Sequence, residues 1–547
     1  MRKSVCIAMK TLYLIFLLII SNIIYSQNTV GTLSNNNESF NGLTLFSPSN
    51  STETYLINNC GEVVRQWTST FEPGASVYLL ENGTLLRTGK IPNSNITFGG
   101  VGGKIELFDW DNNLIWEYTY SSNLVSQHHD IFPLPNGNIL MLAATTMTQA
   151  EAIQAGRNPS LLSQNKLFNE QILELEPVGT NQANIVWEWN IKDHLVQNFD
   201  TTKDNFGVIG DNPELLNVNF LNNNNPEANW LHINSIQYNQ DLDQIILSSR
   251  RLSEIYIIDH STTTMEAASH SGGTYGKGGD FLYRWGNPIA YDKGSSTEQT
   301  LFFQHYPHWI QNELTDAGKI MVFNNGNSRG YSSVDIISPP QTSPGVYTYN
   351  NTTGFGPTSA EWIYEDPMPS NFFSAILSSG QRLPNGNTLI CDGDSGYFFE
   401  ITPNNEIVWE YVNPDTASGI LTQGDMPSSN NVFRALKLPY DYPAFTGRNL
   451  TAGNPIELNP DLSNCTLLSI QDFDTKKTEV YPNPTNGMVY IQSTSSIDKI
   501  EVYDALGKLV ASKLLTNQIN FESMSTGIYI MKIYSNKNII NKRVIKQ

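Results

Sequence analysis

Six segments of this 547-residue chain end in the same way, with a tryptophan inside a short run of β-branched and aromatic residues. In the clearest copies an alternating run precedes a turn rich in Asn, Gly or Asp, and the turn precedes the tryptophan, which is the pattern of a β-hairpin. The repetition predicts six structural units. The six segments are VVRQW ending at Trp67, LIWEY around Trp116, IVWEW around Trp187, FLYRW ending at Trp285, AEWIY around Trp362 and IVWEY around Trp409.

Several units also contain an earlier strand that follows an Asn-Gly turn, as in residues 81–89, 135–143 and 384–392. Asn-Gly accepts the positive φ angles of a two-residue hairpin loop. A unit of about four antiparallel strands has the size of one propeller blade. The sequence therefore predicts an all-β fold, a six-bladed β-propeller around a central channel. Plain β-sandwiches would explain the short strands, but not the six matched tryptophan ends.

The segment NVFRALKLPYDYPAF (431–445) follows the last unit and has strand character. We expect it to pair with strands near the N-terminus and to close the ring, because closure removes an exposed sheet edge.

The N-terminal residues have the pattern of a signal peptide, in which basic residues precede an apolar run over residues 12–24. The pattern predicts a signal peptide over residues 1–26, cleaved near Ser26. An uncleaved membrane anchor is the alternative, although the run is short for a full span. The protein is then expected to leave the cytoplasm, with the propeller over residues 27–470 and a smaller domain over residues 471–547.

Loss of Cys6 with the signal peptide would leave three cysteines, which permit one internal disulfide at most. Cys60 lies in the first unit and Cys465 just beyond the closing strand, so we expect a disulfide between them. Cys391 lies in an apolar strand and is expected in the core.

Composition limits the class of partner. A hydrophobic fraction of 39% with 11% aromatic residues is typical of a folded β protein. The formal net charge of −20 argues against a nucleic acid or an anionic membrane as partner. An anionic substrate would therefore need a local positive pocket.

All eight histidines lie between His128 and His308, and five of them fall in three short segments that each precede an apolar strand. The segments are QHHDIF (127–132), WLHINSI (230–236) and QHYPHW (304–309). Because the inner strands of blades line the channel, residues that enter them from one face converge. We therefore predict one polar site, to which Arg250 would also reach. Its members are His128 or His129, His232, Asn234, Arg250 and His305.

Such a set suits a tetrahedral oxyanion. A neutral imidazole can act as a nucleophile or as a proton carrier. A guanidinium group presents a fixed fork of donors that fits a charged XO3 group. Asn and a second His add donors where charge develops. The chemistry needs neither a nucleotide nor a metal, so the sequence predicts no cofactor.

The C-terminal stretch contains three successive motifs, VYPNPTNG (480–487), VYDALGKLV (502–510) and STGIYIMKI (525–533). By these motifs it closely resembles the sorting domain of cargo proteins of the type IX secretion system of Bacteroidetes, and the resemblance covers about residues 477–547. The short strands and Gly turns predict a small β-sandwich. The resemblance implies the type IX machinery as a partner and a secreted or cell-surface protein, exported through the periplasm.

The segments HHDIFPLPNGN, WLHINSIQYNQDLDQIILSSR and QHYPHW, in this order within six units, resemble the aryl-sulfate sulfotransferases. The resemblance runs from about Phe40 to Phe445. Members of that family are bacterial six-bladed propellers that move a sulfuryl group from a phenolic sulfate ester to a phenol without the nucleotide donor PAPS. The resemblance implies these small-molecule substrates and a ping-pong reaction through a sulfohistidine.

By position, the resemblance makes His305 the histidine that is transiently sulfated. Three residues correspond to donors around the sulfuryl oxygens, namely His232, Asn234 and Arg250. The His128-His129 pair corresponds to the remaining active-site histidine, and we favour His129.

Two other functions stay open: a secreted propeller that binds a sulfated or phenolic ligand without catalysis, and a zinc site held by three histidines. The sequence offers no ligand spacing for zinc, and we assign no metal. His308 is either structural or a support of the site. Three further histidines are expected to be structural: His194, His260 and His270.

Overall fold

In a computed structural model the chain is described over residues 28–465, 479–493, 496–504, 508–535 and 538–547. The predicted signal peptide lies outside these residues. The chain divides into two compact units at residue 466, and the predicted domain boundary at residue 470 also falls outside the described residues. Within the described part of the chain, no helix is long and apolar enough to cross a membrane.

The first unit is built from six antiparallel sheets. Sheet 1 consists of Val432–Pro439, Gly42–Pro48, Glu53–Ile57 and Val63–Thr68. Sheet 2 consists of Pro73–Leu79, Leu85–Lys90, Gly103–Phe108 and Leu114–Thr119. Sheet 3 consists of Val125–Pro133, Ile139–Thr148, Lys166–Val178 and Gln182–Asn190.

The remaining three sheets repeat the same order. Sheet 4 consists of Ile233–Asn239, Gln244–Ser249, Glu254–Asp259 and Tyr283–Trp285. Sheet 5 consists of His305–Trp309, Ile320–Asn324, Ser333–Ile337 and Trp362–Tyr364. Sheet 6 consists of Ser379–Arg382, Thr388–Asp392, Tyr397–Ile401 and Ile407–Val412, with Gly31–Asn35 added at its outer edge.

Short elements connect these strands and sheets. In residues 28–465 the α-helices are Gln149–Gln154, between strands of sheet 3, and Thr264–Ala267, between strands of sheet 4. The two-stranded pairs are Leu195–Val196 with Leu216–Asn217, Gln341–Ser343 with Val346–Tyr347, Tyr349–Asn350 with Gly354–Phe355, and Asp415–Thr416 with Gly419–Ile420. The 3-10 helices are Pro159–Leu161, Ile191–Asp193, Ile209–Asp211, Pro288–Tyr291, Ser296–Glu298, Pro369–Asn371, Pro443–Phe445 and Leu462–Asn464.

The first strand of each sheet, here called its inner strand, contacts the inner strand of the next sheet, and the contacts form a closed cycle from sheet 1 to sheet 6 and back. The cycle depends on Val432–Pro439, which pairs with Gly42–Pro48 to complete sheet 1. The predicted pairing of this late segment with the N-terminal strands is confirmed. The ring is closed by strands from the two ends of the unit.

The recurring tryptophans connect each sheet to the next one. The indole N–H of Trp67 donates to the Asp109 carbonyl of sheet 2 at 3.0 Å, and Trp409 of sheet 6 donates to Asn59 of sheet 1 at 2.8 Å. The indoles of Trp116, Trp187 and Trp285 each bond the following sheet or the loop that belongs to it. At Trp362 the guanidinium of Arg382, in the next inner strand, lies 4.8 Å from the ring centroid. The aromatic ends therefore both fill the core and join neighbouring sheets.

Apolar side chains of adjacent sheets form shared cores. Ile246 and Ile257 of sheet 4, for example, pack in one cluster with Ile320 and Val322 of sheet 5, and all four side chains are fully buried. Burial of one such side chain contributes about 1.5–3 kcal/mol. The cores therefore lie between sheets, so each sheet depends on its neighbours to bury its apolar side chains.

The three Asn-Gly turns differ in one respect from the prediction. Only the glycines, Gly83, Gly137 and Gly386, have positive φ angles, near 90°. Each turn closes with two bonds, as where the Gly83 amide donates to the Leu80 carbonyl and the Leu80 amide donates to Thr84. These loops contain three residues with a glycine bulge, rather than the two residues expected.

The predicted disulfide joins Cys60 to Cys465, and Cys391 is a buried free thiol, as expected. The bridge connects sheet 1 to the segment that follows the closing strand.

Polar side chains join the inner strands of five sheets in what we call the inner-strand network. The carboxylate of Asp130 accepts from Arg434 at 2.8 Å and from the Ile236 amide at 3.1 Å. Arg434 also donates to the Tyr78 hydroxyl at 2.6 Å, and its guanidinium lies 3.7 Å from the Tyr306 ring centroid. All of these side chains are buried. The network spans sheets 1 to 5.

The second unit has two antiparallel sheets with one common core. The first consists of Glu479–Tyr481, Met488–Gln492 and Gln518–Asn520, and the second of Leu509–Leu514, Lys499–Tyr503, Gly527–Ser535 and Asn538–Lys546. Val489 and Ile519 of the first sheet pack in one cluster with Val502 and Met531 of the second.

We expect Arg434→Met to lower the free energy of unfolding by about 3–5 kcal/mol, because it leaves the carboxylate of Asp130 buried without its cation. The measurement is urea-induced unfolding followed by tryptophan fluorescence. The control is the double variant Asp130→Asn with Arg434→Met, which removes both charges and should recover part of the loss. Equal losses in the single and double variants would contradict the charge-pairing role.

Candidate active site

The predicted site residues lie at the inner strands of three consecutive sheets. His128 and His129 are within the inner strand of sheet 3, and His232 directly precedes that of sheet 4. Arg250 follows the second strand of sheet 4, and His305 begins the inner strand of sheet 5. The structure thus brings the three histidine segments to neighbouring strands, as the sequence predicts.

Each histidine segment lies at a local irregularity of its sheet. The pairing register shifts opposite residues 128–130, at Asn234, and between His305 and His308. His129 and His232 have φ angles of 50° and 52°, which residues other than glycine rarely adopt. β-Bulges and left-handed residues redirect side chains and are common beside active sites. Here they turn the imidazoles out of the regular alternation of the strands.

The imidazoles and Arg250 share one electrostatic environment. The ring centroids of His129 and His232 are 4.8 Å apart. Burial, followed by the charge of Arg250, lowers the pKa of His129 to about 3. The pKa of His305 is also lowered well below its usual value, first by burial and then by Arg250. Burial and nearby cationic groups have the same effect on the pKa of His232. All three rings are therefore neutral at physiological pH.

The orientation of His305 is fixed by Asn325. The Nδ2 group of Asn325 donates to the carbonyls of Ser374 and Leu377, at 2.8 and 3.2 Å, which leaves its Oδ1 as an acceptor. That oxygen lies 2.7 Å from Nδ1 of His305, so Nδ1 carries the proton. In the neutral ring, Nε2 of His305 then has the free lone pair that a nucleophile needs.

His232 has the opposite tautomer. The amide of Asn229 donates to its Nδ1 at 2.9 Å, so the ring proton lies on Nε2. Its backbone is fixed by the buried carboxylate of Glu170, which accepts from the Ile233 amide at 3.1 and 3.0 Å. Burial raises the pKa of Glu170 to about 8. His232 can therefore act as a hydrogen-bond donor through Nε2.

The two adjacent histidines have different surroundings. The ring of His128 is stacked on Phe98 with centroids 3.8 Å apart, and its Nε2 lies 3.7 Å from Glu170. The Nδ1 atoms of His128 and His129 are 2.8 Å apart, so one donates to the other. Burial and then His129 lower the pKa of His128, whereas His129 faces His232 and Arg250. This arrangement favours His129 as the member of the pair that meets a substrate.

Arg250 is a partly buried cation. Its Nη2 donates to the Ala375 carbonyl at 3.3 Å, and its guanidinium lies 4.9 Å from the Phe303 ring centroid. Among the described residues, no carboxylate forms a salt bridge with it. Burial, and then the neighbouring Arg251, lowers the pKa of Arg250 to about 10, so the group remains charged at neutral pH. A cation in this position can bind an anionic ligand.

Asn234 has a different place from the other predicted donors. Its side chain is fully buried, and its amide donates to the Gln304 carbonyl at 2.9 Å. The bond links the bulge of sheet 4 to the residue that precedes His305. Asn234 thus orients the strand that carries His305, and its role as a sulfuryl ligand stays a prediction.

The remaining histidines do not line this site. His308 is buried with its ring stacked on Tyr306, and burial lowers its pKa to about 4. His260 bridges Asp243 and Glu174; burial opposes its charge, but these carboxylates outweigh it and raise its pKa to about 9. His194 and His270 both contact Asp280, on a different part of the unit.

Several residues of the site were missed in the sequence. Asn325 and Glu170 fix two of the imidazoles, but each lies among other polar residues at the end of or within a strand, and no pattern in the sequence distinguishes it from them. The segment FGGVGG (98–103) offered a clearer pattern. A Cβ atom at Gly100 would lie 2.2 Å from the His129 ring, so only glycine fits there. A glycine-rich run before the first histidine segment indicates this close approach.

A model of the arylsulfotransferase (ASST) family matches residues 29–433. The chain belongs to this family. A model of the secretion system C-terminal sorting domain matches residues 479–547. Both resemblances found in the sequence are therefore confirmed: this arylsulfotransferase family member carries a type IX sorting domain, which implies export from the cell or to its surface.

Two relatives are named arylsulfate sulfotransferase AssT. The one from Lelliottia amnigena is 27% identical over 219 residues, which cover 38% of this chain and 36% of that protein. The one from Escherichia coli O6:H1 is 22% identical over 375 residues, which cover 64% of this chain and 58% of that protein. This arylsulfotransferase family member thus spans less than two-thirds of the length of the curated relatives it matches.

Among solved structures, the family member is similar to the periplasmic gluconolactonase PpgL of Pseudomonas aeruginosa. The TM-score is 0.35 at 9% identity, and the match covers 73% of this chain and 99% of that chain.

The lowered pKa values predict an unusual pH profile. Because the imidazoles are neutral far below pH 7, kcat/KM for an aryl sulfate should not decline as the pH falls through about 6.5, where an ordinary histidine would become protonated. The measurement is initial rates after brief transfer of the protein to each pH. An acid limb centred near 6.5 would contradict the burial of the imidazoles beside Arg250.

Proposed function

We propose that the protein is an aryl-sulfate sulfotransferase that moves a sulfuryl group from a phenolic sulfate ester to a phenol through a sulfohistidine at His305. The observation that carries the proposal is the tautomer of His305, which leaves the lone pair on Nε2 of a ring that interacts electrostatically with Arg250, a cation without a carboxylate partner among the described residues. A nucleophile and an anion-binding cation at one place are what sulfuryl transfer requires. Family membership supports the same reaction.

We also infer that the six sheets are the blades of a six-bladed β-propeller. The closed cycle of inner-strand contacts supports this architecture, because it returns from sheet 6 to sheet 1. Residues at the same end of the inner strands then meet near the axis. His129, His232 and His305, from three consecutive blades, would line one end of the central channel.

In the first half-reaction, Nε2 of His305 attacks sulfur in line with the bond to the phenolic oxygen. The N–S bond forms while the S–O bond breaks, and the phenol oxygen leaves with the bonding electrons. Arg250 and the Nε2–H group of His232 face the sulfuryl oxygens and stabilise their charge. By analogy with phosphoryl transfer the transition state is loose, so positioning and charge carry most of the rate.

His129 acts as the general acid and then as the general base. The substrate anion offsets the charge of Arg250, which raises the pKa of the nearby imidazole and lets it take up a proton as the substrate binds. That proton is delivered to the departing phenolate. In the second half-reaction a new phenol gives its proton to His129 and attacks sulfur, the N–S bond breaks, and His305 regains its lone pair.

Asn325 is the positioning residue of this mechanism. Its acceptor oxygen holds the proton on Nδ1 of His305 in both half-reactions, and stabilises the positive ring of the sulfohistidine.

The alternative is a secreted propeller that binds a sulfated or phenolic ligand without turnover. The same imidazoles and cation would serve that role. A chromogenic aryl sulfate mixed with a phenol separates the two, because only an enzyme releases the chromophore at a rate that depends on the acceptor.

For the second unit, we infer a small β-sandwich made of its two sheets, which share one core. The type IX secretion machinery is its proposed partner, reached from the periplasm.

His305→Ala should reduce transfer from an aryl sulfate to a phenol by at least about a thousandfold, the scale of losing a covalent nucleophile. Intact-mass analysis after mixing with donor alone should show one added sulfuryl group in the wild type and none in the variant. The matched control is His270→Ala, a histidine outside the site, which should retain wild-type turnover. Near wild-type transfer by His305→Ala would reject the proposed nucleophile.

Arg250→Lys keeps the charge but removes the planar fork of donors, so we expect kcat to fall about tenfold or more, equal to about 1.4 kcal/mol of transition-state stabilisation. Arg251→Lys is the control, since Arg251 is paired with Glu227 at 2.6 Å. Equal rates for the two lysine variants would exclude the proposed oxyanion role of Arg250.

A further inference from the structure

Away from the inner strands, two imidazoles and one carboxylate converge at the outer side of sheets 3 and 4. His194 follows the 3-10 helix after the last strand of sheet 3. His270 and Asp280 lie in the loop between the helix Thr264–Ala267 and the last strand of sheet 4. We call these three residues the His194 cluster. The proposed sulfotransferase reaction uses none of them.

The nitrogen and oxygen atoms of the cluster face one another. Nδ1 of His194 lies 2.8 Å from Oδ1 of Asp280, and Nδ1 of His270 lies 2.9 and 3.1 Å from the two oxygens of the same carboxylate. One potential ligand atom from each residue lies within 4.8 Å of the others. Ligand atoms around a tetrahedral zinc ion are about 3.3 Å apart, given bonds of about 2.0 Å. Small side-chain movements would bring the three atoms to that spacing.

The ring of His194 is held in place by its surroundings. It is stacked on Trp189, with centroids 5.4 Å apart and planes at 5°, and its Nε2 donates to the Ala267 carbonyl at 2.8 Å. The Trp189 indole donates to the Gly279 carbonyl at 2.8 Å. A Cβ atom at Gly279 would lie 2.6 Å from Nε2 of His194, so the loop passes where only glycine fits. Nδ1 is thereby aimed at Asp280.

This arrangement is the one that metal-bound histidines have. Such histidines usually donate their second ring N–H to a backbone carbonyl or carboxylate, which fixes the tautomer. In His194 the bond to Ala267 places a proton on Nε2. The neutral ring then has its lone pair on Nδ1, facing the carboxylate oxygens.

The geometry points to a zinc site formed by Nδ1 of His194, an imidazole nitrogen of His270 and the carboxylate of Asp280. Two nitrogens and one oxygen suit zinc, whereas magnesium and calcium prefer oxygen ligands. The side chain of His270 is 63% exposed, so the ion can enter from solvent and keep a water molecule as its fourth ligand. The carboxylate of Asp193 interacts with both imidazoles and adds negative charge.

The ion would join the outer end of sheet 3 to the long loop of sheet 4. An ion that binds the folded chain and not the unfolded one stabilises the fold by mass action. The zinc site is therefore a structural site that cross-links two adjacent sheets, and it is separate from the sulfuryl-transfer site.

The test uses the untagged full chain, stripped with a chelator and titrated with ZnCl2. We expect one equivalent of zinc by elemental analysis, and a thermal midpoint that rises with zinc and returns with chelator. His270→Ala should bind zinc at least about tenfold more weakly and lose the zinc-dependent rise in the midpoint. Met265→Ala, an exposed side chain on the adjacent helix, is the matched control and should behave as the wild type.

A second variant separates this site from the histidines of the candidate active site. His305→Ala should bind one equivalent of zinc with wild-type affinity. The proposal is overturned if the wild type takes up no zinc, if His270→Ala binds it unchanged, or if the uptake is lost in His305→Ala. Circular dichroism of His270→Ala checks that the variant is folded.

Discussion

The buried ion pair between Asp130 and Arg434 is the interaction on which the rest of the first unit depends. A carboxylate without exposure to water is stable only if its charge is matched and its oxygens are hydrogen-bonded. Here the partners come from the inner strands of sheets 1 and 4, and Arg434 extends the contact to sheets 2 and 5. Asp130 directly follows the histidine pair, so the same network that joins the sheets also fixes the backbone from which His129 projects.

The site combines two conditions that usually conflict. Imidazoles are kept neutral by burial and by a neighbouring cation, while that cation keeps its charge because its pKa, which burial lowers to about 10, is still well above neutral pH. Amides then assign the tautomers: Asn325 leaves a lone pair on His305, and Asn229 leaves a proton on His232. Neutral rings with fixed tautomers beside one unmatched positive charge form a site that is complementary to an anion.

The fold was more predictable from the sequence than the details of the site. The tryptophan repeats, the late closing strand and the Cys60–Cys465 bridge follow from patterns of residue type, and the three histidine segments reach neighbouring strands because the repeat places them in register. The bulges at Asn234 and around His129 could not be predicted, since backbone irregularity depends on tertiary contacts rather than on local composition. Partners such as Glu170, and the convergence of His194 with Asp280, depend on distant parts of the chain meeting in space.

Five indole bonds of the recurring tryptophans run from one sheet to the sheet that follows it, and the last of them returns from Trp409 to Asn59 of sheet 1. Sheet 1 meanwhile receives its inner strand from residues 432–439. Sheet 1 consequently remains incomplete until almost the whole unit has been synthesised. Because this pairing joins the two ends of the unit, it is one of the most non-local contacts of the fold, and contacts of that kind slow folding.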